Sequence, residues 1–222
     1  DGFLNVIDIQ FIALFIIGYL ELSEHQQSIA DLNNDEIVNI YDIILIIEAI
    51  LGGELSRGQS AESATIYYGN GNVRYESDGE VAGIEMAVSG DFIITNSHLP
   101  TGWEISHSKT VIILYSMDGS SFAGSTLFEY EGELNIHNSV IADWYESTIM
   151  VNNIVLPKEF ALLPAYPNPF NPVTTLSFAL PLEAEVSLSI YNLQGREVST
   201  LISGNMDAGY HSIVWDANSS AS

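Results

Sequence analysis

The first fifty residues alternate short polar runs with long apolar ones. Residues 9–20 read IQFIALFIIGYL and residues 43–51 read IILIIEAIL. The two stretches belong to an internal repeat at an offset of 34: Asp1, Asn5, Asp8 and Gly18 recur as Asp35, Asn39, Asp42 and Gly52, and Ile9, Ile12 and Ile16 recur as Ile43, Ile46 and Ile50. Polar matches followed by apolar ones describe duplicated loop–helix units. Between them, Ser23 with Gln26 three residues later forms a capping box that predicts a short helix over about residues 24–30. Gly52-Gly53 stops the second long helix. The apolar run of about twelve residues is short of the roughly 20 that cross a bilayer, and Asn5 and Asp8 precede it, so it reads as a buried helix. Phe11, Ile12, Leu14, Phe15, Ile16 and Ile17 leave the first helix apolar on nearly every side, which requires a covering partner.

From about residue 60 the period changes to two. Residues 81–88, 110–115, 126–130, 133–137 and 148–151 read as strands, with turns at Gly69-Asn70-Gly71, Ser77-Asp78-Gly79 and Met117-Asp118-Gly119. Many short strands with frequent turns predict an antiparallel β-sandwich. Residues 153–164 read as a linker. Pro164, Pro167, Pro169 and Pro172 then force an extended segment. Strand patterns at residues 174–180, 185–191 and 211–215 predict a second, smaller β-module. The expected fold class is multidomain and mainly β, with an N-terminal helix pair over residues 1–55, a sandwich over 60–152 and a C-terminal module over 165–222.

Composition narrows the partners. The 222 residues include 29 acidic and 5 basic ones, a formal net charge of −24. Such a surface repels nucleic-acid phosphates and anionic lipid heads, and attracts cations. No cysteine is present, which excludes disulfides, thiolate metal sites and cysteine catalysis. Asp1 falls inside the first repeat, so the sequence is expected to be part of a longer protein, and the lack of a leader says nothing about export.

Residues 31–42 place oxygen side chains at loop positions 1, 3, 5, 9 and 12 through Asp31, Asn33, Asp35, Asn39 and Asp42, with the Ile37 carbonyl at position 7. Calcium takes six to eight oxygens, and a twelve-residue loop supplies them at this spacing. The repeat supplies a partial first site from Asp1, the Phe3 carbonyl, Asn5 and Asp8. Position 6 is Gly2 in the first loop but Glu36 in the second. A non-glycine residue with positive φ costs about 1–3 kcal/mol, which is expected to weaken the second loop.

Residues 1–53 resemble the dockerin family, in which two EF-hand-like calcium loop–helix repeats pack together and dock onto a cohesin. Closure of the loop by aspartate, as at Asp8 and Asp42, fits that resemblance. It implies partner-facing residues at positions 10 and 11, which are Val6-Ile7 and Ile40-Tyr41 here. Both pairs also suit the core of the helix pair. The middle stretch, carried by residues 83–90 and by Gly132-Glu133-Leu134 with the strand after it, is similar to cohesin-like sandwiches. That implies protein docking or carbohydrate binding, with Trp103, Trp144, Tyr145, Tyr67 and Tyr68 as candidate sugar-stacking rings or as core aromatics.

Pro167-Asn168-Pro169-Phe170-Asn171-Pro172, then Gly195-Arg196-Glu197, then Ala208-Gly209-Tyr210-His211 follow one another in an order that resembles the C-terminal sorting domain (type A) of the type IX secretion system. The resemblance implies an Ig-like β-sandwich recognised by the secretion machinery, a chain secreted or held at the outer surface of a Gram-negative cell, and a further strand or two beyond residue 222. No nucleophile, P-loop or HExxH pattern stands in a catalytic context, so no enzyme is expected. The expected function is a calcium-binding docking protein with a sorting tail. The alternative is a carbohydrate-binding accessory region of a polysaccharide-degrading enzyme whose catalytic part lies upstream.

Overall fold

A computed structural model describes residues 4–52, 59–122, 125–145 and 149–220. The chain forms two compact units, Asp1–Ile154 and Val155–Ser222. Among the described residues no helix is long and apolar enough to cross a membrane. The mainly-β expectation holds in both units.

The first unit opens with helices α1 (Val6–Ile16), α2 (Glu24–Ala30) and α3 (Ile40–Leu51). Each begins with a reciprocal cap: Asn5 with Asp8, Ser23 with Gln26, and Asn39 with Asp42. The cap side chain accepts a backbone N–H from the first turn, and the residue at the third helical position accepts the N–H of the cap. The strands follow as β1 (Ser63–Gly69), β2 (Asn72–Ser77), β3 (Gly83–Ser89), β4 (Phe92–Ser97), β5 (Trp103–His107), β6 (Val111–Ser116), β7 (Ser125–Gly132), β8 (Asn135–Ala142) and β9 (Met150–Val155). They make a five-stranded sheet in the order β4-β7-β2-β1-β9, antiparallel from β4 to β1, and an antiparallel four-stranded sheet in the order β5-β6-β3-β8. Ile66, Val73, Tyr75 and Phe128 from the first sheet share one core with Ile84, Met86, Ile112 and Leu114 from the second. The two sheets therefore pack face to face.

The four-stranded sheet is buried on both faces. Along β6, Ile112 and Leu114 enter the core between the sheets, while Ile113 and Tyr115 enter a second core with the helices. That second core joins Ile9, Ile12, Ile40, Ile43, Ile44 and Ile47 to Ala82, Ala142 and Trp144. Burial on both faces accounts for the unbroken apolar run Val111-Ile112-Ile113-Leu114 in an antiparallel strand. The expected boundary between residues 55 and 60 thus separates two secondary-structure types that share one core.

Turn carboxylates bring an acid dependence. Asp78 accepts the Ser63 N–H and hydroxyl and the Glu62 N–H, which hold its carboxyl below the usual aspartate range. Asp118 is lowered in the same way by the Ser120 hydroxyl and N–H and by the Ser116 hydroxyl. Carboxyls lowered by folding stabilise the fold above the unfolded aspartate pKa of about 3.9, and that contribution disappears as pH falls through the lowered values. Urea midpoints measured from neutral pH downward are expected to drop on the acid side, and less steeply in Asp78→Asn. Equal slopes in the two proteins would refute this assignment.

The second unit contains β10 (Ala161–Leu162), β11 (Val173–Leu180), β12 (Ala184–Tyr191), β13 (Glu197–Met206) and β14 (Gly209–Asp216). β10, β11 and β14 form one antiparallel sheet, and β12 and β13 form a hairpin. The segment expected to be a linker is in part paired, because the end of β9 and all of β10 fall within it. Apolar Ala161 and Leu162 meet Ala179 and Phe178 across the sheet, and strand pairing follows.

Candidate metal centre

The loop over residues 31–42 is curled by its own side chains. Asp31 accepts the N–H groups of Asp35 at 3.1 Å and Glu36 at 3.0 Å. Asn33 accepts from Asp35 at 3.1 Å, and Asp35 accepts from Ile37 at 2.8 Å. The Ile37 carbonyl receives the Asn39 amide at 3.4 Å. Asp42 closes the loop from the first turn of α3, with one carboxyl oxygen on the Leu32 N–H at 2.7 Å and the other on the Asn39 N–H at 2.9 Å. These contacts run along the loop through all six residues expected as ligands. Asn34 and Glu36 have φ of 58° and 69°. Glu36 thus adopts the left-handed conformation expected for position 6, where glycine is unstrained.

Asp42 is fully buried. Burial pushes its carboxyl up, partly offset by the N–H groups of Asn39, Leu32 and Asn33, and the charge of Asp31 pushes it further up. Among the described residues, no three His, Cys, Asp or Glu side chains are grouped as a metal cluster. Asp31, Asp35 and Asp42 are therefore not drawn onto one point, and the donors the loop offers are carboxylate, amide and carbonyl oxygens. Such a set suits a hard cation rather than zinc or copper. Of the partial first site, Asn5 and Asp8 are placed as the cap of α1, while Asp1 and Phe3 lie outside the described residues.

The two expected partner-facing pairs part ways. Ile40 is fully buried against the four-stranded sheet, and the Tyr41 hydroxyl donates to the Ile141 carbonyl at 3.1 Å. Val6 and Ile7 are exposed, at 48% and 57%. Two further contributors come from the sheet, outside the loop pattern. Glu85 on β3 accepts the Ile40 N–H at 3.1 Å, and buried Gly83 faces Ile40 and Ile44. Burial pushes the Glu85 carboxyl up, the Ile40 N–H lowers it and the Asp42 charge raises it. A lone carboxylate in the run Gly83-Ile84-Glu85-Met86 is the one signal of this role in the sequence.

The candidate sugar-stacking rings do not form a platform. Trp103, Trp144 and Tyr68 are buried core side chains, in keeping with the core-aromatic reading and not with the sugar-stacking one. Tyr67 is covered by the Arg74 guanidinium 4.1 Å above its ring. Tyr145 is 46% exposed.

In the second unit the proline-rich part of the sorting motif is held on β11 and β14. The Thr174 hydroxyl donates to the Pro167 carbonyl at 2.8 Å, Tyr166 and Thr175 exchange backbone hydrogen bonds, and the Ala217 N–H reaches the Pro172 carbonyl at 3.0 Å. The Phe170 ring lies 5.2 Å from Trp215. Asn168, Pro169 and Asn171 complete this proline-rich segment. Gly195 (φ 75°) and Arg196 form the turn capped by Asn192, and Glu197 opens β13.

Residues 164–213 match the family model of the secretion system C-terminal sorting domain. This tail assigns the chain to proteins exported by type IX secretion and implies contact with that machinery. No dockerin or cohesin-like family matches. Comparison with curated proteins finds no match.

Proposed function

We propose that this chain is a non-catalytic part of a protein exported to the outer surface of a Gram-negative cell, in which a calcium-ordered, dockerin-like helix pair docks in cis onto a cohesin-like sandwich. One observation carries the reading. The loop over residues 31–42 offers an oxygen donor at each of the six expected positions, and its closing carboxylate, Asp42, stands in the first turn of the helix whose opening residues sit on the sheet. Asp31, Asn33, Asp35, the Ile37 carbonyl, Asn39 and Asp42 would hold the cation. A bound calcium ion would supply the positive charge that the buried Asp42 lacks. The sorting tail supplies the export signal.

Calorimetric titration of the intact chain with calcium tests this. Saturable binding is expected, retained in excess magnesium and lost in Asp31→Ala. Absence of binding up to millimolar calcium would defeat the proposal.

A further inference from the structure

Three groups on neighbouring strands hold the start of α3. Gly83 is buried on β3, and a methyl group added there would lie 2.7 Å from Ile40 Cγ1, 3.0 Å from Ile40 Cδ1 and 3.1 Å from Ile44 Cδ1. Its φ lies outside the left-handed region, so the missing side chain serves space rather than backbone conformation. Two residues on, and so on the same face of the strand, Glu85 accepts the Ile40 N–H at 3.1 Å. That N–H is one of the four a helix leaves unpaired at its N-terminus, where a carboxylate is favoured. On the adjacent strand β8, the Ile141 carbonyl receives the Tyr41 hydroxyl. Ile141 pairs with Ile84, between the other two positions.

We infer that Gly83, Glu85 and the Ile141 carbonyl form a socket that selects the second repeat and rejects the first. The inference rests on the cis-docking reading. At the equivalent positions the first repeat carries Val6 and Ile7. Valine lacks the δ-carbon that Ile40 places against Gly83. Isoleucine has no hydroxyl for the Ile141 carbonyl, which would then lose its side-chain donor. The occupant that fits is a capped helix whose first two residues are isoleucine and tyrosine. The observed exposure of Val6 and Ile7 agrees with this selection.

Hydrogen exchange of the α3 amides in the intact chain, in calcium, tests the socket. Gly83→Ala is expected to speed exchange about ten- to a hundredfold, as overpacking does in a filled core. In an Ile40→Ala background the same substitution should do much less, because the two nearest atoms it strikes are gone and only Ile44 Cδ1 remains. Tyr41→Phe should speed exchange about three- to tenfold, the share of one hydrogen bond. Ile40→Val with Tyr41→Ile, which copies the first repeat, should exceed Tyr41→Phe. Equal effects of Gly83→Ala in both backgrounds, or unchanged exchange in the copied variant, would overturn the socket while leaving cis docking intact. Unprotected α3 amides in the parent chain would instead defeat cis docking itself.

Discussion

Trp103→Ala is expected to destabilise the first unit by about 3–5 kcal/mol, the cost of emptying a large aromatic site in a packed core. Trp103 is buried on β5, edge-on to Phe122 with ring centroids 4.6 Å apart, and Phe122 meets Tyr75 edge-on at 5.1 Å. Removing the indole takes from Phe122 one of its two edge-on partners. Its Nε1 has no hydrogen-bond partner among the described residues, so the loss is one of packing rather than of hydrogen bonding. Urea unfolding followed by Trp144 fluorescence measures the change. The second unit should be unaffected when followed through Trp215, since the two units must be read as separate transitions. A stable Trp103→Ala protein that had lost binding to a polysaccharide panel would contradict the core assignment and revive a carbohydrate-binding function.

Asp42→Ala is expected to cost about 2–4 kcal/mol even without calcium. The backbone donors Leu32, Asn33 and Asn39 lose their acceptor at a partly buried site, where each group left fully unsatisfied costs about 1–3 kcal/mol and access to water reduces that. Relief of a buried carboxylate works the other way, so the net lies below the sum. Asp42→Asn keeps one acceptor oxygen and should fall between the parent and the alanine variant. Added calcium should widen the gap between parent and both variants, because a ligand that binds only the folded form stabilises it by mass action. A cost under about 0.5 kcal/mol for Asp42→Ala would mean that its oxygens do not hold the loop.

Several elements are legible in the amino-acid sequence itself. The 34-residue repeat locates α1 and α3 because the same Asn and Asp that suit loop positions 9 and 12 are also the caps of those helices. Strands β3, β6 and β11 carry dense apolar patterns and fall close to their expected places. The hairpin of β1 and β2 shows in the sequence only as a turn, although Asn70 and Gly71, with φ of 54° and 79°, make the two-residue turn that joins paired strands. β4 escapes the period-two pattern because its apolar residues run consecutively, which leaves Ile93 exposed on the outer face. β13 escapes it because it has a single partner strand and is half exposed along its length, so no core imposes a pattern on it. At the site, spacing alone picks out the candidate loop residues. It does not identify Gly83 and Glu85, because their roles depend on which helix covers their face. The aromatic residues are ambiguous for the same reason, since ring chemistry alone does not distinguish a core from a platform.

The contacts that hold α3 to the sheet also set an order of events. The Ile40 N–H meets an acceptor 45 residues later, and the Tyr41 hydroxyl meets one 100 residues later. Contacts of such long separation form only after a large loop has closed. A chain that emerges N-terminus first therefore displays α1 and α3, apolar on most sides, before their cover exists. Until β8 arrives these helices are the most adhesive part of the molecule, and a chain cut short of Ala142 keeps that adhesive surface for good.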